Sequence, residues 1–499
     1  MQEELPMLYN QYKITIPHVF VYNIELRGKD YIQVKQRDSS IHATEREGSS
    51  AGGVSKDFTV SAQETTFISR NLPAIRQDES YCWCPEDYKV QVSFDLQGTQ
   101  FTPNEYKPYS QKWEDVDKQL LKPENTQFGE HLSLTNPFRP ETKQAYNSEM
   151  NFEEKIICAF QVLKKKMAWN GRYQLYSKEL EKVIKKGSGS NADLNFILIS
   201  ILKDFGLEAY PVVMSRRSSG MLPYNFPSLQ KLNTFFVAIH DINKQKYVFL
   251  DSSMDVPAFN ILPLELSVNK ARMLSLKEKE EKKWVNVMAL SHNKSFMKID
   301  ARIEGNQVKG HRSTVLYGQE AIEYQANENH KQDNLVSNPE NKVSQKEKLT
   351  VTNLKVKKQE NDWALIEEEF DFVLQADRTD DHLYINPMLF PQLKSNPFIQ
   401  TERVLPIEFP YPYKFTMLST LTLPEGYEVE ELPQSQSIRS EGDGLQCKYM
   451  IQQQGNTILL NYVFHLKGYI FLSEQYKQLQ ELWAKVIEKN NALIVLKKI

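Results

Sequence analysis

Cysteine is scarce, with four residues in 499. That is too few for the disulfide framework that holds small secreted scaffolds together. Cys82 and Cys84 flank Trp83 in the run YCWCP, and no bond between them is expected. No second Cys/His pair lies at zinc-finger spacing, so neither a metal site nor another cofactor is expected. Cys158 sits in the helical run EEKIICAFQVLKKKM and reads as packed rather than reactive. Cys447 follows the turn EGDG and reads as a strand residue. A run of about 20 apolar residues is missing, so no membrane-spanning helix is expected. The opening MQEELPMLYNQYKITI lacks the basic start and apolar core of an export signal. Taken literally, that places the chain in the cytoplasm. Charge of one sign is missing as well: 61 Lys and Arg against 64 Asp and Glu leave a net −3. That balance argues against a nucleic-acid-binding face.

What is present describes a globular protein, with 40% hydrophobic and 25% charged residues. At roughly 100–200 residues per domain, the length predicts about three domains. Residues 1–148 read as an antiparallel β domain followed by a linker. Short β-branched, alternating runs such as YKITIPHVFVYNIEL and YKVQVSFDL are separated by Gly, Ser or Pro. Residues 106–148 are rich in Pro, Asn, Thr and Lys and hold one short helix, SQKWEDVDKQLL. Residues 149–275 begin with apolar positions at helical spacing in NFEEKIICAFQVLKKKMAW and end with the strands TFFVAIHD and KYVFLDSS. Helices followed by antiparallel strands indicate an α+β domain. Residues 276–499 are β again, with a terminal helix, SEQYKQLQELWAKVIEKNN. The polar stretch from Gln325 to Lys348 has no hydrophobic period and is expected to be a long loop. The fold class is thus α+β and multidomain.

The most informative stretch is GSGSNADLNFILISILKDFG, Gly187–Gly206. Leu194, Ile197, Leu198, Ile201, Leu202 and Phe205 recur at helical spacing. Ser190 and Asp193 form an S-x-x-D start signal, which makes Asn191 the first helical residue. Gly206 supplies the left-handed stop. The GSGS run before the helix reads as a flexible approach. The first turn of a buried helix is where an enzyme places a nucleophilic cysteine, because unpaired N–H groups stabilise its thiolate. The helix is there; the thiol is not.

This region resembles the nucleophile region of the transglutaminase-like, papain-fold superfamily. That region reads Gly-x-Cys-x-Asp/Glu, then an apolar helix, then Leu-(Arg/Lys)-x-x-Gly-(Ile/Leu)-x-Ala. Leu202, Lys203, Gly206, Leu207 and Ala209 fit its ending. The superfamily cysteine then falls on Asn191 and its acidic neighbour on Asp193. The hairpin LNTFFVAIHDINKQKYVFLDSS places the histidine position at Thr234, or at Asn233 one residue back, and the aspartate at Asp251. The Cys–His–Asp triad thus appears as Asn191, Thr234 and Asp251. Flanking segments resemble the β domains around transglutaminase-like domains in secreted bacterial proteins, over about Ala51–Ile499. The resemblance implies export and a front end further upstream, so the coding region is expected to extend or the copy to be truncated.

Each residue also has a structural reading. Ser190 and Asp193 serve as helix caps, and Ser188 is a loop hydroxyl. His240 lies six residues beyond Thr234 on the same strand, roughly 20 Å away at strand rise, too far to act as a triad base. Asp251 is equally a structural carboxylate or a vestige of the triad. Ser190, Asp193, Asn233, Arg216 and Arg217 are candidate cleft-lining residues, the arginines on the loop SRRSSGMLPYNFP. Asn191→Ala is expected to be nearly neutral, because alanine suits a first helical position. The leading reading is a non-catalytic, extracytoplasmic transglutaminase-like protein without thiol-dependent acyl transfer, whose cleft binds a peptide, cell-envelope fragment or protein partner; the alternatives are a hydrolase or acyltransferase with relocated catalytic residues, and a scaffold whose cleft is filled by its own side chains.

Overall fold

The computed structural model describes residues 1–499 except 48–53, 78, 102–104, 110–111, 123–126, 224–226, 291, 335–342, 345–348 and 360–361. The chain divides into two compact units, Met1–Leu132 with Met214–Asn233, and Ser133–Val213 with Thr234–Ile499. The architecture is α+β, with several sheets and a terminal helix.

Among its described residues, the first unit holds two three-stranded antiparallel sheets. One places Val54–Leu72 between Met7–Pro17 and Gln33–Glu47; the other places Gln91–Gln100 between Phe20–Arg27 and Tyr106–Pro108. Ile32, Phe67, Leu72 and Val90 form a core cluster within it, with Ile14, Ile24 and Phe94 packed against them. Residues 106–148 contain more helix than their polar composition suggested: Trp113–Leu121, Gln127–Leu132 and Arg139–Ala145. Trp113, Val116 and Leu120 of the first of these are buried, at the spacing of a helix face.

In the second unit, two helices and a sheet frame the site. Helix Phe152–Lys166 starts with a capping box, Asn151 accepting from the Glu154 N–H at 3.0 Å and Glu154 accepting from the Asn151 N–H at 2.8 Å. It buries Ile156, Ile157, Phe160 and Leu163. Beside it lies the helix Asn191–Asp204, whose apolar residues are almost entirely enclosed. A five-stranded sheet has Thr234–Asp241 between Lys246–Leu250 and Glu208–Met214.

Further along the same unit, a nine-stranded sheet has Asn293–Glu304 and Tyr413–Thr422 as parallel neighbours near its centre. The terminal helix Tyr476–Asn490 buries Tyr476, Leu479, Trp483 and Val486. Trp483 packs on Phe398, Phe409 and Phe464 with ring centroids 5.3–5.6 Å apart. The expected loop from Gln325 begins instead inside a helix, Gln319–Asn334. Ala321 and Gln325, four residues apart, are buried on one face, and Gln325 donates to the Trp363 carbonyl at 2.7 Å. The remainder of that stretch is largely outside the described residues.

The first turn of this helix carries a titration. Burial pushes the Glu320 carboxyl up to about 6, with Ser295 and Tyr413 hydrogen bonds pulling it back and Glu323 adding to the rise. Ser295 and Tyr413 themselves meet at 2.8 Å. A carboxyl whose folded value is raised stabilises the fold fully below its unfolded value, and that stability is lost as pH rises through the folded value. Denaturant titrations of the wild type and Glu320→Gln should therefore diverge between about pH 4.5 and 7, with the glutamine variant gaining up to about 2 kcal/mol on the wild type. A constant difference across that window would remove Glu320 as the titrating group.

Candidate functional site

The site is built on the start of the helix Asn191–Asp204. Ser190 is its cap, with extended backbone at φ −68° and ψ 169°. Its hydroxyl accepts from the Asp193 N–H at 3.3 Å, and Asp193 Oδ2 accepts from the Ser190 N–H and hydroxyl, each at 2.7 Å. The preceding GSGS run is ordered rather than a flexible approach. Gly187 closes the helix Leu180–Lys186 at φ 70°, and Ser188–Gly189 pairs in parallel with Ala168–Trp169. A Cβ on Gly189 would lie 2.5 Å from a Val183 methyl and 2.9 Å from the Asp193 Cβ, so only glycine fits there.

Asn191 has no exposed surface. Its Nδ2 donates to Thr234 Oγ1 at 2.8 Å and to the Phe235 carbonyl at 3.0 Å. Its Oδ1 accepts from the Gln174 N–H at 3.0 Å, and its own N–H donates to the Arg172 carbonyl at 3.1 Å. The segment around 172–174 therefore lies over the helix start. Asp251 joins through Asn195, a residue absent from the sequence-derived candidates. One helical turn beyond Asn191, Asn195 Nδ2 donates to Phe235 O and to Asp251 Oδ1, both at 2.8 Å. Asn195 Oδ1 accepts from the Ser252 N–H at 3.0 Å and its hydroxyl at 2.5 Å. The other Asp251 oxygen accepts from the Ser253 N–H at 3.1 Å and from the Ser253 hydroxyl. Thr234 and Asn195 are 0% exposed and Asp251 is 2% exposed. Asn191, Thr234, Asn195 and Asp251 are thus hydrogen-bonded to one another and to the nearby backbone, the condition under which buried polar groups stabilise a fold.

The electrostatics agree. Burial raises the Asp251 pKa, and hydrogen bonds from Ser253, Asn195 and Asn191 act against the rise. A nearby cation is Lys164, which donates to the Ser252 carbonyl at 3.2 Å. Burial lowers its pKa, while Asp255 and Asp251 oppose that fall. The named hydrogen bonds of the network include no histidine. His240 stacks on Tyr247 with centroids 4.9 Å apart, and its Nδ1 lies 3.6 Å from Glu208 Oε2, at the turn end of the hairpin. Asn233, Arg216 and Arg217 belong to the first unit. Asn233 Oδ1 accepts from the Arg216 N–H at 3.0 Å, and the Arg217 guanidinium lies 4.4 Å above the Trp83 ring. Residues 224–226 of that loop are outside the described residues. Among the described residues, no three His, Cys, Asp or Glu side chains are placed to share a metal ion. No described helix is long and apolar enough to cross a membrane.

These bonds overturn one expectation from sequence. Asn191→Ala is not a mild change at a first-turn position, because it removes a side chain that bridges a helix, a strand and a loop. It should cost about 2–3 kcal/mol by leaving buried partners unpaired. Ser190→Ala should cost about 1 kcal/mol, the worth of a cap. Urea midpoints of the two variants give the ranking; a larger loss for Ser190→Ala would reverse this assignment.

Comparison with known proteins adds four findings. Residues 381–496 match a family described as a domain of unknown function with a solved structure, DUF3858. No curated protein matches the chain. A crystal structure of a candidate protease from Parabacteroides distasonis aligns with 100% of this chain and 74% of its own, at 13% identity and a TM-score of 0.52. At that identity the likeness is one of fold. A candidate cysteine protease from Cytophaga hutchinsonii aligns with 50% of this chain and 80% of its own, at 12% identity and a TM-score of 0.17, too low to carry an argument.

Proposed function

We propose that this chain is a non-catalytic relative of the transglutaminase-like, papain-fold proteins, serving as a scaffolding or binding module of the bacterial cell envelope. One observation carries the reading. The triad positions hold Asn191, Thr234 and Asp251, and these are enclosed and hydrogen-bonded within the protein. Acyl transfer by this superfamily's chemistry needs a nucleophile activated by an adjacent base. An amide nitrogen is delocalised and does not attack carbonyl carbon, and a threonine hydroxyl does not accept a proton near neutral pH. The same carboxylate that would orient a histidine is held by Asn195 and Ser253. The filled site favours scaffolding over capture of a ligand at that point, so a peptide, envelope fragment or protein partner would bind elsewhere on the chain.

The test is turnover. The purified chain is incubated with casein, alone and with dansylcadaverine as an amine acceptor. The expected result is no new fragments and no incorporated fluorophore above a chain-free control. Turnover abolished by Ser190→Ala would overturn the reading in favour of a relocated serine nucleophile. Fractionation of cells carrying the native locus tests the envelope placement, which a product confined to the cytoplasm would contradict.

A further inference from the structure

A second polar cluster lies far along the chain from the triad positions, on the nine-stranded sheet. Five strands each contribute one residue to a single row across it. Thr352 pairs with Asp371, Asp371 with His311, His311 with Asp300, and Asp300 with Thr420. All five line an open pocket of about 600 Å³, within the range of small-molecule sites.

The centre of the row is organised. His311 Nδ1 lies 2.9 Å from Asp371 Oδ1. A carboxylate at that nitrogen accepts the ring N–H there and orients Nε2 away from Asp371, free to exchange a hydrogen bond with a ligand. The other Asp371 oxygen accepts from Asn353 Nδ2 at 2.7 Å. Asn353 adopts φ 54°, a left-handed conformation within a strand, at a register shift between Thr352 and Lys355. A bulge of this kind re-aims a side chain and is enriched beside functional sites. The strand is thus bent at a residue whose amide fixes Asp371, which in turn fixes His311. Asn353 and Asn195 hold their aspartates in the same way, but His311 and Asp371 are each 47% exposed at the side chain, whereas Asn195 and Asp251 are enclosed.

The lining also limits the ligand. Arg302 and Lys309 share the one carboxylate of Glu304, at 2.5 and 2.7 Å. Asp300 is held by Lys298 at 2.7 Å. Asp371 is held by His311 and Asn353. Arg302, Lys309 and Lys298 stand against Glu304, Asp300 and Asp371, three basic side chains to three carboxylates, so a strongly charged ligand finds little net counter-charge here. What the row offers is hydroxyls, an imidazole and carboxylate edges, repeated at the ~4.8 Å spacing of adjacent strands. That repeat is close to the length of one pyranose unit in an extended glycan, whose hydroxyls are both donors and acceptors.

We propose that this row is a binding site for an uncharged linear oligosaccharide lying across the strands, with His311 and Asp371 as its central hydrogen-bonding pair. The site is independent of the silent protease-like centre, and either assignment can fail without the other.

The test is calorimetric titration of the full chain with cellohexaose, chitohexaose, xylohexaose and laminarihexaose, with cellobiose and hexagalacturonate as controls. At least one neutral hexasaccharide should bind about tenfold or more tightly than cellobiose and hexagalacturonate. His311→Ala and Asp371→Asn should each weaken that binding about tenfold, the scale of a lost hydrogen bond to a charged or oriented group. Thr420→Lys should block the row while leaving the His311–Asp371 pair in place. Circular dichroism of each variant confirms the fold. Failure of all four hexasaccharides to bind overturns the proposal. So does binding that persists in all three variants, or tighter binding of hexagalacturonate.

Discussion

Replacing Asn195 with alanine should destabilise the protein by about 3–5 kcal/mol, the largest loss expected from any single change in the network. The side chain joins three segments distant in sequence. Its Nδ2 serves the Phe235 carbonyl and Asp251 Oδ1, and its Oδ1 serves the Ser252 N–H and hydroxyl. After truncation the Phe235 carbonyl keeps its bond from Asn191. Asp251 Oδ1 and the Ser252 N–H lose these partners in a site closed to water. Each such buried group costs about 1–3 kcal/mol, and more where it is charged. Asn195→Asp should be equally severe for another reason, since it sets a second carboxylate against Asp251 with no added cation. Chemical denaturation of both variants checks this. A loss below about 1 kcal/mol for Asn195→Ala would mean that water enters and replaces the bonds.

Local features of this region were legible from sequence because they depend on neighbours in the chain. The helix begins at Asn191 with Ser190 and Asp193 as reciprocal caps, and Gly206 follows its end at φ 73°. These depend on a four-residue pattern and an apolar period. Asn195 was not legible as a member of the site. A polar residue within an apolar helical pattern says that something polar faces it, but its partners lie 40 to 57 residues away. The order of GSGS was hidden for a related reason. Small residues signal freedom in isolation, yet here Gly189 is small because Val183 and Asp193 press on it. The helix running into the polar stretch after Gln325 was missed because two buried positions, Ala321 and Gln325, give too little apolar period to register. The row from Thr352 to Thr420 was out of reach for sequence reading. Alternation identifies each strand, but pairing across five strands is a property of the sheet.

Asn191, Thr234, Asn195 and Asp251 form a closed structural link. A cysteine at position 191 reports on this directly, because the side chain there is enclosed at the helix start and nothing else in the protein need change. Asn191 is 0% exposed, and the segment near Arg172 and Gln174 lies over it. A thiol in that place reacts only when the segment opens. Each ~1.4 kcal/mol of opening cost slows the reaction about tenfold. Adding Thr234→His would supply a base, but it also forces a larger side chain into a position with no exposed surface. The measurement is iodoacetamide labelling of position 191 in Asn191→Cys, alone and combined with Thr234→His, followed near neutral pH by peptide mass spectrometry. Native and urea-unfolded samples are compared, and circular dichroism confirms the native fold. The account predicts native labelling at least about a hundredfold slower than in the unfolded chain for both variants. Native labelling of the double variant as fast as that of the unfolded chain, or faster, would reveal an open site competent for catalysis and contradict it.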